Sequence, residues 1–358
     1  LYMQDITLQN ALEYYKSGSA GRAVCLQDKG TQTICKNVKM LSYQDTYYSN
    51  EPNGKGQFYF EDSEIHGTVD YVCGGGDVYF NRVLFVNESR KEGEKNGEDV
   101  IAAPNSKSEW GYIFKDCTIE NKAAAFSLGR SWNNITRLTW LNTTVNQKDE
   151  ILNDNKKYAY FTINAMGDAM ADKFRLDVLK DAEGNVFSPA EKKVVFKASD
   201  GKVLKDEENI ILTADEAAAY TLENVFGKWE PAKLAAQQTA GEASEVDGKL
   251  SWTGDAQMYI VLKDGEFFAL TSEKSLNLEG ATGKFTVRAA NQMGGFGEVA
   301  SVATGIKDIH AATENGAAVK TAIFAVSGTQ QSRLQKGINI VVKTMADGSK
   351  QTTKMVVK

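Results

Sequence analysis

The chain is poor in the residues that much metal and triad chemistry requires. It holds two histidines, His66 and His310, far apart in 358 residues, which leaves no basis for a histidine metal cluster or a Ser-His-Asp triad. Each reads as an ordinary surface or turn residue. The four cysteines, Cys25, Cys35, Cys73 and Cys117, all lie in the first third and lack CxxC spacing. They read as core thiols or as one disulfide, and they leave the redox compartment open. No apolar run approaches the roughly 20 residues that a membrane-crossing helix needs. No basic patch with interleaved aromatics appears, and a net charge of −6 argues against a nucleic-acid partner. Gly74-Gly75-Gly76-Asp77 lacks the GK[ST] end of a phosphate loop and reads as a tight coil corner. Helical periodicity is missing from residues 30 to 146.

What is present is a loose internal repeat: an apolar residue, an Asn or Asp two positions on, and another apolar residue three further. It runs Cys35/Asn37/Met40, Phe60/Asp62/Ile65, Phe114/Asp116/Ile119 and Trp140/Asn142/Val145, with Phe80/Arg82/Phe85 as a variant. The polar places step by 25, 20, 34 and 26 residues. Irregular periods of this size, in copies rich in Val, Ile, Phe, Tyr and Thr, point to a solenoid of stacked strands with loops of varying length. A right-handed parallel β-helix is the economical reading, and the chain as a whole reads as all-β.

Two aspartates share a second place in this repeat, for Asp45 lies eight residues after Asn37 and Asp70 eight after Asp62. Stacked strands sit roughly 4.8 Å apart, so the two carboxyl groups are expected side by side on neighbouring coils. Two like charges so close cannot both ionise easily, and one becomes an acid while the other stays a carboxylate. Stacked Asn or Asp side chains also occur as turn ladders with no chemistry. On repeat position alone Arg90 competes for a place beside them, since it lies eight after Arg82.

The chain is long enough for two or three modules. We expect a β-helix over residues 1–234, a linker rich in Ala, Gln, Thr, Gly and Ser over 235–249, a small β-sandwich over 250–305 and a short β-rich tail over 306–358. Thr213-Ala214-Asp215-Glu216 has capping-box spacing and predicts one helix start. The charged segment from Asn87 to Asp99 reads as a solvated loop placed to overhang a groove. The chain opens on Leu1-Tyr2-Met3, with neither an initiator methionine nor a signal peptide, and is expected to be a fragment lacking its true N-terminus.

The residues around the two aspartates resemble the pectin methylesterases, a right-handed β-helix family. Gly67-Thr68-Val69-Asp70-Tyr71-Val72-Cys73-Gly74 is similar to its nucleophile motif, Gln44-Asp45-Thr46 to its acid/base motif, and Leu128-Gly129-Arg130-Ser131-Trp132 to its arginine-tryptophan motif. The resemblance covers roughly residues 5 to 234. It implies Asp70 as nucleophile, Asp45 as general acid and later base, Gln44 as oxyanion donor, Arg130 as the group that orients Asp70, and Trp132 as the lining of a sugar subsite. Tyr47, Tyr48, Phe58 and Tyr71 stand as groove aromatics, with Tyr47 and Tyr71 placed in the substrate set. No cofactor and no metal is implied. The substrate would be methylated homogalacturonan, acted on by a monomer.

This chain departs from the pattern at one telling place. Where the family opens a run with a second oxyanion glutamine, the matching segment here is Arg22-Ala23-Val24-Cys25-Leu26, 22 residues before Gln44. Arg22 either serves the oxyanion and substrate or holds Asp45 ionised, and the second outcome would leave a non-catalytic carbohydrate-binding β-helix. A pectate-lyase-like enzyme on the same architecture is the other alternative, although it would call for a calcium-binding acidic cluster. Downstream, 250–305 resembles a fibronectin type III-like module. The tail resembles the C-terminal sorting domains of type nine secretion cargo, which implies the secretion machinery as a partner and an extracellular or cell-surface location.

Overall fold

The computed structural model describes residues 1–12, 21–105, 108–132, 136–151, 171–187, 193–197, 203–300, 302–303, 318–325, 327–345 and 350–357. Residues 152–170 of the expected β-helix, and 304–317 with His310, lie outside the described residues. The chain divides into two compact units, Leu1–Val302 and Ala303–Lys358.

The first unit begins with strands β1 (Tyr2–Gln9), β2 (Leu26–Asp28), β3 (Gln32–Leu41), β4 (Tyr47–Ser49), β5 (Gln57–Glu61), β6 (Glu64–Gly67), β7 (Val69–Gly74), β8 (Asp77–Asn81), β9 (Leu84–Asn87), β10 (Glu98–Pro104), β11 (Tyr112–Lys115), β12 (Thr118–Asn121), β13 (Ala125–Gly129), β14 (Thr136–Leu141) and β15 (Thr143–Val145). All pair in parallel, coil on coil. The strands β14-β11-β8-β5-β3 stack on one side, and β3-β6-β9-β12-β15 stack on a second. β3 is long enough to serve both, pairing with β5 through Gln32–Lys36 and with β6 through Lys39 and Met40. A third, separate sheet runs β13-β10-β7-β4-β2. Three stacked parallel faces make a β-helix.

The repeat read from the sequence is the corner between the first two faces. Its polar residues Asn37, Asp62, Arg82, Asp116 and Asn142 all adopt left-handed backbone, with φ of 49°, 50°, 55°, 55° and 48°. Asn and Asp tolerate that conformation better than other side chains, and here they also bond to one another. Asn37 Nδ2 donates to Asp5 Oδ1 at 2.7 Å, and Asp5, with φ 54°, marks a further copy in Met3/Asp5/Leu8. Arg82, the variant, has its Nε 2.7 Å and its Nη2 3.0 Å from the Asp62 carboxylate. These charge-assisted bonds offset the cost of an arginine in that conformation.

The apolar residues either side of the corner point inward. Cys35, Phe60, Phe80, Phe114 and Trp140 occupy one register column and are fully buried. Phe80 and Phe114 stack at 4.8 Å and Phe114 and Trp140 at 3.8 Å between ring centroids. Each such ring removes 150–250 Å² from water, so this column is a principal source of stability. The glycine corner is as expected: Gly74 has φ 111°, and a Cβ there would stand 2.0 Å from the Ser49 carbonyl oxygen.

The outward face of β3, β5, β8 and β11 carries Ile34, Tyr59, Tyr79 and Ile113, and it is covered by helices α1 (Ala214–Ala218), α2 (Leu222–Phe226) and α3 (Pro231–Leu234). The capping box at α1 is present, with Thr213 and Glu216 bonded reciprocally. The stretch expected as a linker differs from that expectation. Ala235 seals the helical cover, Ala240 and Ala243 enter the next core, and Ala243–Val246 is a strand. Small apolar residues allow close approach as readily as they allow flexibility. That next core, around Trp252, Tyr259, Val261 and Val287, gathers residues from two small sheets, one holding Ala243–Val246 and Lys249–Trp252, the other Tyr259–Lys263 and Phe285–Ala289. The second unit is a four-stranded antiparallel sheet built from Ala318–Ala325, Gln330–Gln331, Gly337–Met345 and Lys350–Val357. Among the described residues no helix is long and apolar enough to cross a membrane.

Candidate active site

The third sheet carries the candidate residues, and its register brings the two aspartates together. Tyr47 pairs with Val72 and Tyr48 with Cys73, which aligns Asp45 with Asp70 two positions earlier. The Asp45 N–H donates to the Val69 carbonyl at 3.2 Å. Both aspartates are left-handed, with φ of 59° and 51°. Asp70 also sits on a bulge, because Val69 pairs with Val100 and Val72 with Ala102, so that β7 carries one residue more than β10. A bulge re-aims a side chain without ending the pairing.

Arg130 follows β13, two coils along from Asp70. Its backbone N–H donates to the Ala102 carbonyl at 2.8 Å. Its side chain spans the intervening coil, donating from Nε to Asp70 Oδ1 at 2.7 Å and from Nη2 to Oδ2 at 2.6 Å. β10 places the small residue Ala103 in register with Cys73 along this stretch, whereas Ala102 belongs to the interior core.

Asp45 is the more open of the two, its side chain 16% exposed. Burial pushes its carboxyl up to about 6, the Asp70 charge adds to the rise, and Arg22, a hydrogen bond from Gln44, and Arg130 act against it. Arg22 and Gln44 pair as an isolated parallel bridge on adjacent coils. The Arg22 Nε stands 3.4 Å from Asp45 Oδ2, on a side chain 78% exposed. Trp132 lies against Tyr48, with ring centroids 5.8 Å apart. Cys73 forms the buried floor between them and the aspartates; burial, then the charges of Asp45 and Asp70, push its thiol well above the ordinary range. Such a thiol is a poor nucleophile.

Three of the four expected groove aromatics are not on this surface. Tyr47 and Tyr71 are fully buried, with hydroxyls donating inward to Asp28 Oδ2 at 3.3 Å and to Asn87 Oδ1 at 2.9 Å. Strand alternation turns Tyr47 in and Tyr48 out, and the bulge turns Tyr71 in after Asp70. Phe58 is likewise interior. Arg90 is committed elsewhere, its Nε 3.1 Å from Asp99. All four cysteines are free, which removes the disulfide alternative.

Sequence reasoning missed two features. Asp99 is wholly buried beside Arg90, and burial pushes its carboxyl up to about 8 against the pull of that arginine. His66 is no ordinary turn residue, because Glu88 lies 2.6 Å from its Nδ1 and Glu64 2.5 Å from its Nε2. Its carbonyl accepts the Thr46 hydroxyl at 2.6 Å, which ties this charged row to the strand start beside Asp45. The alternation of Glu64 and His66 along β6 was the available signal.

A parallel β-helix with paired carboxylates, an arginine clamp and an amide donor on one face is an arrangement suited to ester hydrolysis. Residues 1–154 match the family model described as Pectinesterase. The chain is 30% identical over 156 residues to Pectinesterase B of Pectobacterium parmentieri, covering 39% of this chain and 38% of that one. It is 31% identical over 114 residues to Pectinesterase 2 of Olea europaea, covering 31% and 28%. Among solved structures it is similar to pectin methylesterase from carrot, at 17% identity and a TM-score of 0.45, covering 63% of this chain and 64% of that one. The chain therefore spans well under half the length of these curated relatives. The similarities to the family model and the curated relatives, which cover less than half of the chain, are to pectinesterases, which are carboxylic ester hydrolases.

Proposed function

We propose that this chain hydrolyses the methyl esters of homogalacturonan and releases methanol. The observation that carries the reading is the unequal pair of aspartates: Asp70 fixed by two bonds from Arg130, and beside it Asp45 with its carboxyl pushed up to about 6.

Asp70 attacks the ester carbonyl carbon while Asp45 passes its proton to the departing methoxide, and methanol leaves. The product of this step is an anhydride between Asp70 and the uronate. Water then gives a proton to Asp45 and its oxygen to the uronyl carbon, which frees Asp70 and restores the acid. Gln44 supplies an amide N–H to the developing oxyanion, worth about 10²–10³-fold. Trp132 and Tyr48 form an apolar platform for sugar rings. No step calls for a metal or cofactor.

In the same reading the enzyme acts outside the cell. The two antiparallel sheets around Trp252 form a fibronectin type III-like module, and the four-stranded C-terminal unit is a sorting tail for type nine secretion. The test is methanol measured after incubation with highly methylated pectin. Methanol without a new uronide double bond supports the esterase; an unsaturated uronide without methanol contradicts it.

A further inference from the structure

Arg22 is the cation of the site that is least committed. Arg130 spends two hydrogen bonds on Asp70, whereas Arg22 meets Asp45 only at ion-pair distance, 3.4 Å, from a largely exposed side chain. Its backbone is fixed by the bridge to Gln44, so the guanidinium stands one coil before Asp45 on the same surface. The guanidinium itself stands largely in water at more than hydrogen-bond distance, so it is free to turn to another anion. A polyuronide supplies that anion, because every sugar that has lost its methyl group carries a carboxylate, and a guanidinium is well matched to it.

We propose that Arg22 senses a free carboxylate on the bound polymer: a de-esterified neighbour takes the guanidinium from Asp45, and Asp45, left without that cation, takes a proton from solvent and becomes competent as the acid. The inference rests on the pectinesterase reading and specifies its substrate as partly de-esterified homogalacturonan. The other groups that bear on Asp45 are Asp70, Arg130, Gln44, Tyr48 and Cys73. Burial and the Asp70 charge favour the protonated form, and among the groups that act against them Arg22 is the strongest.

The test uses trigalacturonate, which carries no ester, and its readouts do not depend on turnover. Calorimetry should show binding about tenfold weaker in Arg22→Gln than in wild type, as loss of a charge-assisted contact predicts, with Arg22→Lys between them. Carbon-13 NMR of the Asp45 carboxyl should show its titration moving up by about 1 pH unit when trigalacturonate is added to wild type, and not in Arg22→Gln. Equal affinities in the two proteins, or an Asp45 titration indifferent to trigalacturonate, would overturn the proposal. Failure of the esterase reading looks different: wild type would release no methanol while both readouts stood.

Discussion

Arg130 and Asp70 are 60 residues apart, yet the guanidinium holds both carboxylate oxygens at 2.7 and 2.6 Å across an intervening coil. This geometry fixes the carboxylate's plane, and it does so with a planar fork that no other side chain offers. Arg130→Lys keeps the charge and loses the fork. We expect kcat to fall about 10²-fold, with KM little changed, because a misplaced nucleophile costs rate more than affinity. An unaltered kcat in steady-state methanol assays would contradict this role.

In the proposed mechanism Asp45 must begin the reaction protonated. With the Asp45 carboxyl pushed up to about 6 by burial and by Asp70, kcat/KM should decline as pH rises through that value. Arg22 acts to lower the Asp45 value, so Arg22→Gln should move the descending limb to higher pH. A limb that moves down, or not at all, would remove Arg22 from the titration.

Asp99 gives a prediction about stability. Its carboxyl is raised from 3.8 to about 8, chiefly by burial, so the folded state binds that proton more tightly than the unfolded chain. The resulting stability is complete below about 4 and is lost as pH rises through 8. Asn mimics the protonated form, so Asp99→Asn should match wild type in Tm only below about pH 4 and exceed it by a growing margin up to pH 9. Equal melting temperatures at pH 9 would show that Arg90 already offsets the burial.

Neighbouring tyrosines should behave in opposite ways. Tyr48 lies against Trp132 on the surface, while Tyr47 is buried and bonded to Asp28. Tyr48→Ala, like Trp132→Ala, should raise KM several-fold with Tm nearly unchanged. Tyr47→Phe should lower stability by about 1 kcal/mol through the lost hydrogen bond and leave KM alone. Kinetics and thermal melts on the three variants decide the matter.

The corner ladder was legible because a left-handed turn selects Asn and Asp, and a one-residue corner fixes the spacing of the inward residues around it. That is why the places of Asn37, Asp62, Asp116 and Asn142, and even the Arg82 variant, could be read directly. Asp45 and Asp70 were legible for the same reason, lying eight residues further along the coil. The two tyrosines were not, since a single step of register separates inside from outside and the bulge at Asp70 leaves no mark in composition. Asp99 was hidden because its burial depends on the loop after Asn87 folding back to bring Arg90 beside it. The stretch 235–249 misled because small residues serve linkers and tight packing alike.

The most direct measurement is methanol release from highly methylated pectin by wild type and by Asp70→Asn. Asparagine tolerates the left-handed backbone of Asp70, φ 51°, so the variant removes the nucleophile with little strain. The account predicts methanol from wild type and a loss of about 10⁴-fold or more in a variant whose melting temperature is retained. No methanol from the folded wild-type protein, or undiminished release by Asp70→Asn, would contradict it.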